Sequence, residues 1–167
     1  LTLSAVWEGD SFTVIPAQDG AGYEVVATDS TNVAYGGSYT FTVTILDHFS
    51  GEDMKVYANG VLLIPDVSGT VYTYTVGNIT ADTVITVEGV KADVYTVTYL
   101  VDGDVYRTEQ VAYGGKAVKP VNPVKEGETF KHWAFNSSEW DFNNIVTENL
   151  TLSAVWEGDS FTVIPAQ

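Results

Sequence analysis

Acidic side chains and histidines are the residues of this chain that could bind a metal ion. Carboxylates crowd two predicted loops, DGD at 102–104 and LDHFSGED at 46–53. Calcium takes about six to eight oxygen ligands and usually a spaced pattern such as DxDxDG, which neither loop contains. His48 and His132 are far apart and lack the spacing of an HExxH motif. No metal-binding residue is therefore predicted. Solvated turns are expected at Asp47, Glu52, Asp53, Asp102 and Asp104, and a weak extracellular calcium site is the alternative.

Nucleophilic chemistry would require a serine or a lysine with activating neighbours. The chain contains no GxSxG motif, and no Ser/His/Asp arrangement can be proposed from the sequence. Lys55 could form an internal isopeptide bond with an asparagine, if the lysine were desolvated and next to an acid. Strand alternation in MKVYA places Lys55 on the face opposite Met54, Val56 and Ala58, so an exposed lysine is expected. No catalytic or cofactor-binding residue is predicted, and the chain is expected not to be an enzyme.

Large aromatic side chains are concentrated near the C-terminal end of the sequence. Such a cluster could form a platform that binds glycans, or it could fill the core of a small domain. Each buried aromatic ring removes roughly 150–250 Å² from water, and small cores depend on such residues, so packing is the expected role. The residues concerned are Trp133, Trp140, Trp156, Phe130, Phe135 and Phe142.

The composition limits the partners and the surroundings of the chain. Its 22 acidic and 7 basic residues give a formal charge of −15 at pH 7, which repels nucleic acid and anionic lipid. The absence of cysteine rules out disulfides and thiolate metal sites, and it suits an oxidising environment. No apolar run approaches the roughly 20 residues that span a bilayer, and no signal peptide opens the sequence. Any export or anchoring signal is therefore expected outside this segment.

A hydrophobic period of two runs through almost the entire chain and predicts β-strands. Asn59-Gly60 and Asp102-Gly103 predict type I′ hairpin turns, because both central residues of that turn need positive φ. No window keeps a helical period, and the nearest helix candidate is one or two turns after Asp141. The strands predicted in the first part of the chain lie near 11–16, 22–28, 38–46, 54–58, 61–64, 70–76 and 83–88.

Two kinds of module follow one another in the sequence. The pentapeptide VAYGG occurs at 33–37 and at 111–115, but different sequences follow it. The strand spacing of residues 10–91 suits an immunoglobulin-like β-sandwich, and residues 92–157 form a second, smaller module. Between them EGVKAD has neither proline nor a polar tract, which predicts a semi-rigid joint.

The two ends of the chain carry the same sequence. Residues 1–18 and 150–167 both read LTLSAVWEGDSFTVIPAQ, so the chain contains one period of 149 residues with overlapping ends. We interpret 1–9 as the last strand of a preceding repeat and 158–167 as the first strand of the next one. Trp7 then corresponds to Trp156. Identity over so long a segment indicates nearly exact tandem duplication, as in a long array of alternating modules.

Residues 94–157 resemble the internalin-B-type B repeat, also called the Listeria/Bacteroides repeat. The matching elements, in order, are YTVTY, VAYGGKAVKP, NPVKEGETFKHW, WDF and NLTLSAVW. One departure is His132, where the family usually has glycine in an FKGW motif. The resemblance implies a β-grasp fold in a secreted, cell-wall-associated stalk or adhesin of bacteria, and it names no ligand.

Two functional hypotheses follow from this organisation. The first is a non-enzymatic stalk or spacer that lies outside the cell, attached to the cell surface or wall, and projects an adhesive domain. Its partners would be neighbouring repeats of the same chain, with no nucleic acid and no membrane insertion. The alternative is that the repeats are themselves adhesive modules, which bind a host surface protein or glycan and gain avidity from their copy number.

Overall fold

The computed structural model describes residues 9–158, and within this range all the regular secondary structure is β-strand. The predicted mostly-β class is confirmed. The chain divides into two compact units, with the division between Ala92 and Asp93. We refer to them as unit 1 and unit 2.

Unit 1 is built from two larger sheets and one short strand pair. In the first sheet the strand order is β3-β1-β10-β6-β7, and in the second it is β2-β4-β9-β8. Strand β11 pairs with β5, and only the β1–β10 pair is parallel among the described strand pairs of this unit. The strands are β1 Ser11–Ile15, β2 Tyr23–Ala27, β3 Asn32–Ala34, β4 Gly37–Ile45, β5 Phe49–Ser50, β6 Lys55–Ala58, β7 Val61–Leu62, β8 Asp66–Ser68, β9 Val71–Ile79, β10 Thr83–Glu88 and β11 Lys91–Ala92.

The core of unit 1 is shared by its two larger sheets. Strand β4 alternates buried and partly exposed residues, as its period of two predicts. The Phe41 ring stacks on Tyr74 of β9, with 5.3 Å between the ring centroids. From the other sheet, Val14, Val56 and Ile85 contribute side chains that are at most 2% exposed. Burial of one face from each sheet therefore holds unit 1 together.

Unit 2 contains a single five-stranded sheet with the order β13-β12-β16-β14-β15. Its central pair, β12 and β16, is parallel, whereas the other pairs are antiparallel. The core includes Val97, Tyr99, Trp133 and Leu152, all at most 1% exposed. The strands are β12 Val94–Val101, β13 Asp104–Ala112, β14 Glu128–Phe135, β15 Ser138–Glu139 and β16 Leu150–Gly158.

The structure reproduces the longer predicted strands and both predicted hairpin turns. Asn59 and Gly60 have φ of 47° and 79°, and Asp102 and Gly103 have φ of 52° and 94°, as type I′ turns require. Five strands of two or three residues, namely β3, β5, β8, β11 and β15, were not predicted. Segments this short carry too few residues for a hydrophobic period to show.

Two local expectations need correction. No helix follows Asp141, whose side chain and carbonyl accept hydrogen bonds from the amides of Asn143 and Asn144 and close a single turn. The joint EGVKAD is not a linker between the units, because Glu88 ends β10 and Lys91–Ala92 forms β11 of unit 1.

The interpretation of residues 1–9 and 158–167 as parts of neighbouring repeats concerns mostly residues outside the described range. Trp7 also lies outside that range. Gly158, which we assigned to the next repeat, instead ends β16, where it is paired with Glu128. The closing strand of unit 2 thus extends through the last described residue.

Candidate functional site

The acidic loops form ion pairs with lysines. Asp53 Oδ2 lies 2.6 Å from Lys91 Nζ, and Asp102 Oδ1 lies 2.9 Å from Lys125 Nζ. The hydrogen bond and charge of Lys91 lower the pKa of the Asp53 carboxyl. Within residues 9–158 no group of three or more acidic, histidine or cysteine side chains is arranged to hold a metal ion. Asp53 and Asp102 are therefore each paired with one lysine at an exposed loop.

The remaining residues considered for chemistry lie apart from one another. His48 is in the turn before β5 of unit 1, with a φ of 67°, whereas His132 is on β14 of unit 2. Lys55 is exposed at the start of β6, on the face opposite Val56 and Ala58, which are both buried. The alternation predicted for this strand is confirmed.

The aromatic residues of unit 2 pack mainly into its core. Trp133 is 1% exposed, and its ring centroid lies 5.0 Å from that of Tyr99. Four of the other predicted residues, namely Phe130, Phe135, Trp140 and Phe142, are partly buried and pack against this core. Trp156 lies against Phe130 at 5.8 Å and under Lys125 Nζ at 5.5 Å. The core interpretation is confirmed for these rings, and Trp156 belongs to the margin of the core.

A partly buried hydrogen-bond network on β13 was not predicted. The Glu109 carboxylate lies 2.8 Å from the Tyr99 hydroxyl and accepts a 2.8 Å hydrogen bond from the Val118 amide. Burial, followed by the hydrogen bond and charge of Glu109, raises the pKa of Tyr99. The network holds the segment after β13 against the sheet. Nothing in the sequence distinguishes Glu109 from the other polar residues of β13.

The feature that both units share is the pairing of their first and last long strands. We call these the opening and closing strands: β1 and β10 in unit 1, and β12 and β16 in unit 2. In unit 1, Val14 and Ile15 are in parallel register with Thr83 and Val84. The Thr13 amide donates a 2.8 Å hydrogen bond to Asp82 Oδ1, which lies just before the closing strand.

Unit 2 repeats this arrangement. Four parallel register pairs, from Val97↔Leu150 to Leu100↔Ser153, join its opening and closing strands. The Thr96 amide donates a 2.8 Å hydrogen bond to Asn149 Oδ1, again just before the closing strand. Asp82 and Asn149 therefore occupy equivalent places in two different sheets.

The VAYGG pentapeptide forms the third part of the shared arrangement. The Tyr35 amide donates to the Asp10 carbonyl oxygen and the Tyr113 amide to that of Asp93, both at 2.8 Å. The next residue of each pentapeptide, Gly36 or Gly114, has a φ of 75°. Its amide donates to the carbonyl oxygen of Ile79 in unit 1 and of Val146 in unit 2.

Sequence reasoning recognised the pentapeptide but missed the residues that bind to it. A signal was present, since ITAD at 79–82 and VTEN at 146–149 share a spacing and each immediately precedes a closing strand. Only the structure shows what the two segments share, because the first residue of each, Ile79 or Val146, accepts a hydrogen bond from a glycine of VAYGG.

Unit 1 also has an open apolar concavity of about 370 Å³ between β6 and β9. Its lining includes Ala58, Leu63, Val76 and Ile79. Val61 is part of this lining, and Val61, Leu62 and Ile64 are exposed by 66%, 54% and 90%. Together these three residues form an exposed apolar edge of unit 1.

The fold defines an all-β chain of two compact units, each with a parallel pair formed by its opening and closing strands. Residues 95–155 match the family model of the Listeria-Bacteroides repeat domain. The resemblance predicted for residues 94–157 is confirmed by this match.

Two proteins of Evansella cellulosilytica are similar to part of the chain. One, named "Putative membrane protein", is 36% identical over 78 residues, which cover 44% of this chain and 12% of that protein. The other, named "Putative Gly-rich membrane protein", is 36% identical over 74 residues, which cover 41% and 9% respectively. The chain therefore spans about a tenth of the length of these relatives. Residues 9–158 contain no helix of the length and apolar character needed to cross a membrane.

Proposed function

We propose that the chain is a non-enzymatic repeated segment of a bacterial cell-surface protein, which acts as a stalk or spacer and projects an adhesive domain. It would lie outside the cell, attached to the cell surface or wall. Two findings support a surface location: residues 95–155 match a repeat family, and two relatives are named as membrane proteins. The identical sequence at 1–18 and 150–167 supports a tandem array.

The proposal includes a finer assignment of the two folds. Unit 1 is an immunoglobulin-like sandwich, since β2-β4-β9-β8 and β10-β6-β7 follow the order of the strands A-B-E-D and F-C-C′. The position beside β10 is taken by β1, which runs parallel to it. Unit 2 is a β-grasp domain that uses an irregular segment, residues 113–127, where such folds often carry a helix.

The observation that carries the stalk proposal is the parallel arrangement of opening and closing strands. When two adjacent strands are parallel, the beginning of one and the end of the other lie at opposite ends of the pair. The chain thus enters each unit at one end and leaves it at the other. Each added unit would then lengthen the array. A unit whose two termini lay side by side would add little to its length.

The acidic composition supports the same function. A formal charge of −15 repels neighbouring stalks of the same kind and discourages their lateral association. The effect should weaken in salt, because screening shortens the range of charge repulsion to about 8 Å at physiological ionic strength.

Small-angle scattering from arrays of one, two and three periods tests the proposal. We expect the maximum dimension to increase almost linearly with copy number. A matched array with a long Gly/Ser insertion between Ala92 and Asp93 should lengthen more slowly per copy, as flexible chains do. If the native arrays follow the flexible ones, or do not lengthen at all, the stalk proposal is wrong.

The exposed apolar edge of unit 1 favours adhesion as a second candidate function. Large exposed apolar patches mark binding sites in many soluble proteins. Leu62 and Ile64 are exposed and follow Val61, which lines the concavity described above. In this case the repeats would bind a host surface protein or glycan directly. Binding of bacterial-surface arrays to host cells should then fall sharply in Leu62→Ser and Ile64→Ser variants. It should persist in Val121→Ser, which removes an equally exposed valine from unit 2.

A further inference from the structure

Two units with different sheets use the same three-part arrangement at their ends. Each has a parallel terminal pair, a side-chain oxygen one residue before the closing strand, and a VAYGG turn that binds the opening strand. The arrangement recurs although the strand orders of the two units differ. A common demand on both units would explain its recurrence.

We propose that each parallel terminal pair is a shear clamp, which keeps its unit folded when the chain is pulled from both ends. This inference rests on the proposed stalk function, because an anchored stalk that holds a bound partner carries tension along its chain. The clamp consists of β1 and β10 in unit 1 and of β12 and β16 in unit 2.

The direction of the hydrogen bonds makes the clamp resistant. Tension applied to Asp93 and Gly158 pulls β12 and β16 in opposite directions along their own axes. Interstrand hydrogen bonds run across the strands, so all of those between Val97–Leu100 and Leu150–Ser153 are loaded together. A hairpin pulled from its open end breaks one pair at a time and yields at a lower force.

Packing raises the barrier to sliding in unit 2. Val97, Tyr99, Leu150 and Leu152 lie on the clamp strands and are all at most 4% exposed. Each clamp strand also has a second neighbour, β13 beside β12 and β14 beside β16. Sliding the clamp by one residue would turn buried side chains toward the opposite face of the sheet. The two clamp strands can therefore slide past each other only if the packing of the core is lost at the same time.

Asp82 and Asn149 are the positioning residues of the two clamps. Their side-chain oxygens accept the Thr13 and Thr96 amides, each one residue ahead of the first parallel register pair. Each bond adds one cross-strand link where the pair begins. The clamp of unit 1 contains two register pairs and that of unit 2 contains four, so unit 1 should yield first.

Single-molecule pulling on the full chain tests the clamp through the direction of force alone. The sequence has no cysteine, so pairs of introduced cysteines define the attachment points. Asp93→Cys with Glu157→Cys loads the clamp of unit 2 in shear, whereas Asp93→Cys with Ala112→Cys opens the β12–β13 hairpin. We expect a several-fold higher unfolding force in the shear direction. Equal forces in both directions would overturn the proposal.

A second comparison separates the clamp from general stability. Asn149→Ala removes the bond across the clamp, while Gln110→Ala removes a 2.9 Å bond to the Thr96 hydroxyl across the β12–β13 hairpin. Asn149→Ala should lower the shear unfolding force and leave the hairpin-opening force unchanged. Gln110→Ala should leave the shear force unchanged. A similar loss of shear force in both variants would contradict the role assigned to Asn149.

Attachment at Asp10→Cys and Glu88→Cys measures the clamp of unit 1. Its shear unfolding force should be lower than that of unit 2, and a higher force would contradict the ranking by register pairs. These measurements do not depend on the shape of an array. If the maximum dimension grows linearly but the pulling forces are equal, the stalk proposal stands and the clamp is excluded. If the growth is not linear but the shear force is higher, only the clamp stands.

Discussion

Gly89 has no room for a side chain, because a Cβ atom there would lie 2.2 Å from the Asp53 carbonyl oxygen. Its φ of 83° is also strained for any other residue. Gly69 has a φ of 62° but open space around it, so it offers a matched control.

Gly89→Ala should therefore destabilise unit 1 by on the order of 1–3 kcal/mol more than Gly69→Ala, because it adds a backbone clash to the same conformational cost. Urea unfolding followed by circular dichroism measures the difference. Equal losses in the two variants would show that the contact with Asp53 relaxes freely.

Tyr74 should make unit 1 sensitive to alkaline pH. Burial, with a smaller effect of Tyr72, raises the pKa of Tyr74 to about 12. Between about pH 10, its unfolded value, and pH 12, the folded state retains a proton that the unfolded state loses. The stability contribution is thus complete below pH 10 and is lost as the pH rises to 12.

We expect unit 1 to lose on the order of 1–2 kcal/mol over this window, and Tyr74→Phe should remove most of that slope. Urea unfolding at a series of pH values measures it. Tyr35→Phe, which changes a ring that is 65% exposed, should keep the wild-type slope. An unchanged slope in Tyr74→Phe would assign the alkaline loss to other groups.

At the scale of elements, the same pentapeptide forms the same turn in two different sheets. A Cβ atom on Gly37 would lie 2.9 Å from the Ala34 carbonyl oxygen, and one on Gly115 would lie 2.9 Å from that of Ala112. Both glycines allow the chain to turn tightly back after a strand that pairs with the opening strand.

Gly37→Ala and Gly115→Ala should consequently destabilise their units by similar amounts, about 1–3 kcal/mol each. Trp133, Trp140 and Trp156 lie in unit 2. Tryptophan fluorescence measured in a Trp7→Phe background should therefore change its midpoint in Gly115→Ala alone. Strongly different losses would mean that the surroundings of the turn, and not the turn itself, determine its tolerance.

At the scale of the whole molecule, each unit should fold without the other. Unit 1 and unit 2 have separate buried clusters, and the chain divides between Ala92 and Asp93. Fragments 9–92 and 93–158 should each unfold in one cooperative transition, as small domains usually do. The fragment boundary matters, because a cut after residue 91 would divide β11 from its partner β5.

Calorimetry of both fragments and of the full chain checks this prediction. The transitions of the fragments should reproduce those of the full chain within about 0.5 kcal/mol, as for independent sites. A fragment 93–158 that stays unfolded would show that unit 2 depends on unit 1.

Local chemistry explains what could be predicted from the sequence. Alternation along segments such as 38–46 predicts strands because successive side chains point to opposite faces. Asn59-Gly60 and Asp102-Gly103 predict their turns because few residues adopt positive φ. The identical ends, the two kinds of module and the resemblance of residues 94–157 are also properties of the linear sequence, and they support the proposed surface stalk independently of the fold.

Only the tertiary structure decided which strands became neighbours. The parallel pairs β1–β10 and β12–β16 join residues that are about 70 and 50 positions apart in the chain, and hydrophobic period alone does not specify such partners. Asp82 and Asn149 look like ordinary loop residues until Thr13 and Thr96 are brought against them. Side-chain alternation determines the strands locally. The parallel pairs form only because burial of the core brings strands together that are distant in the sequence.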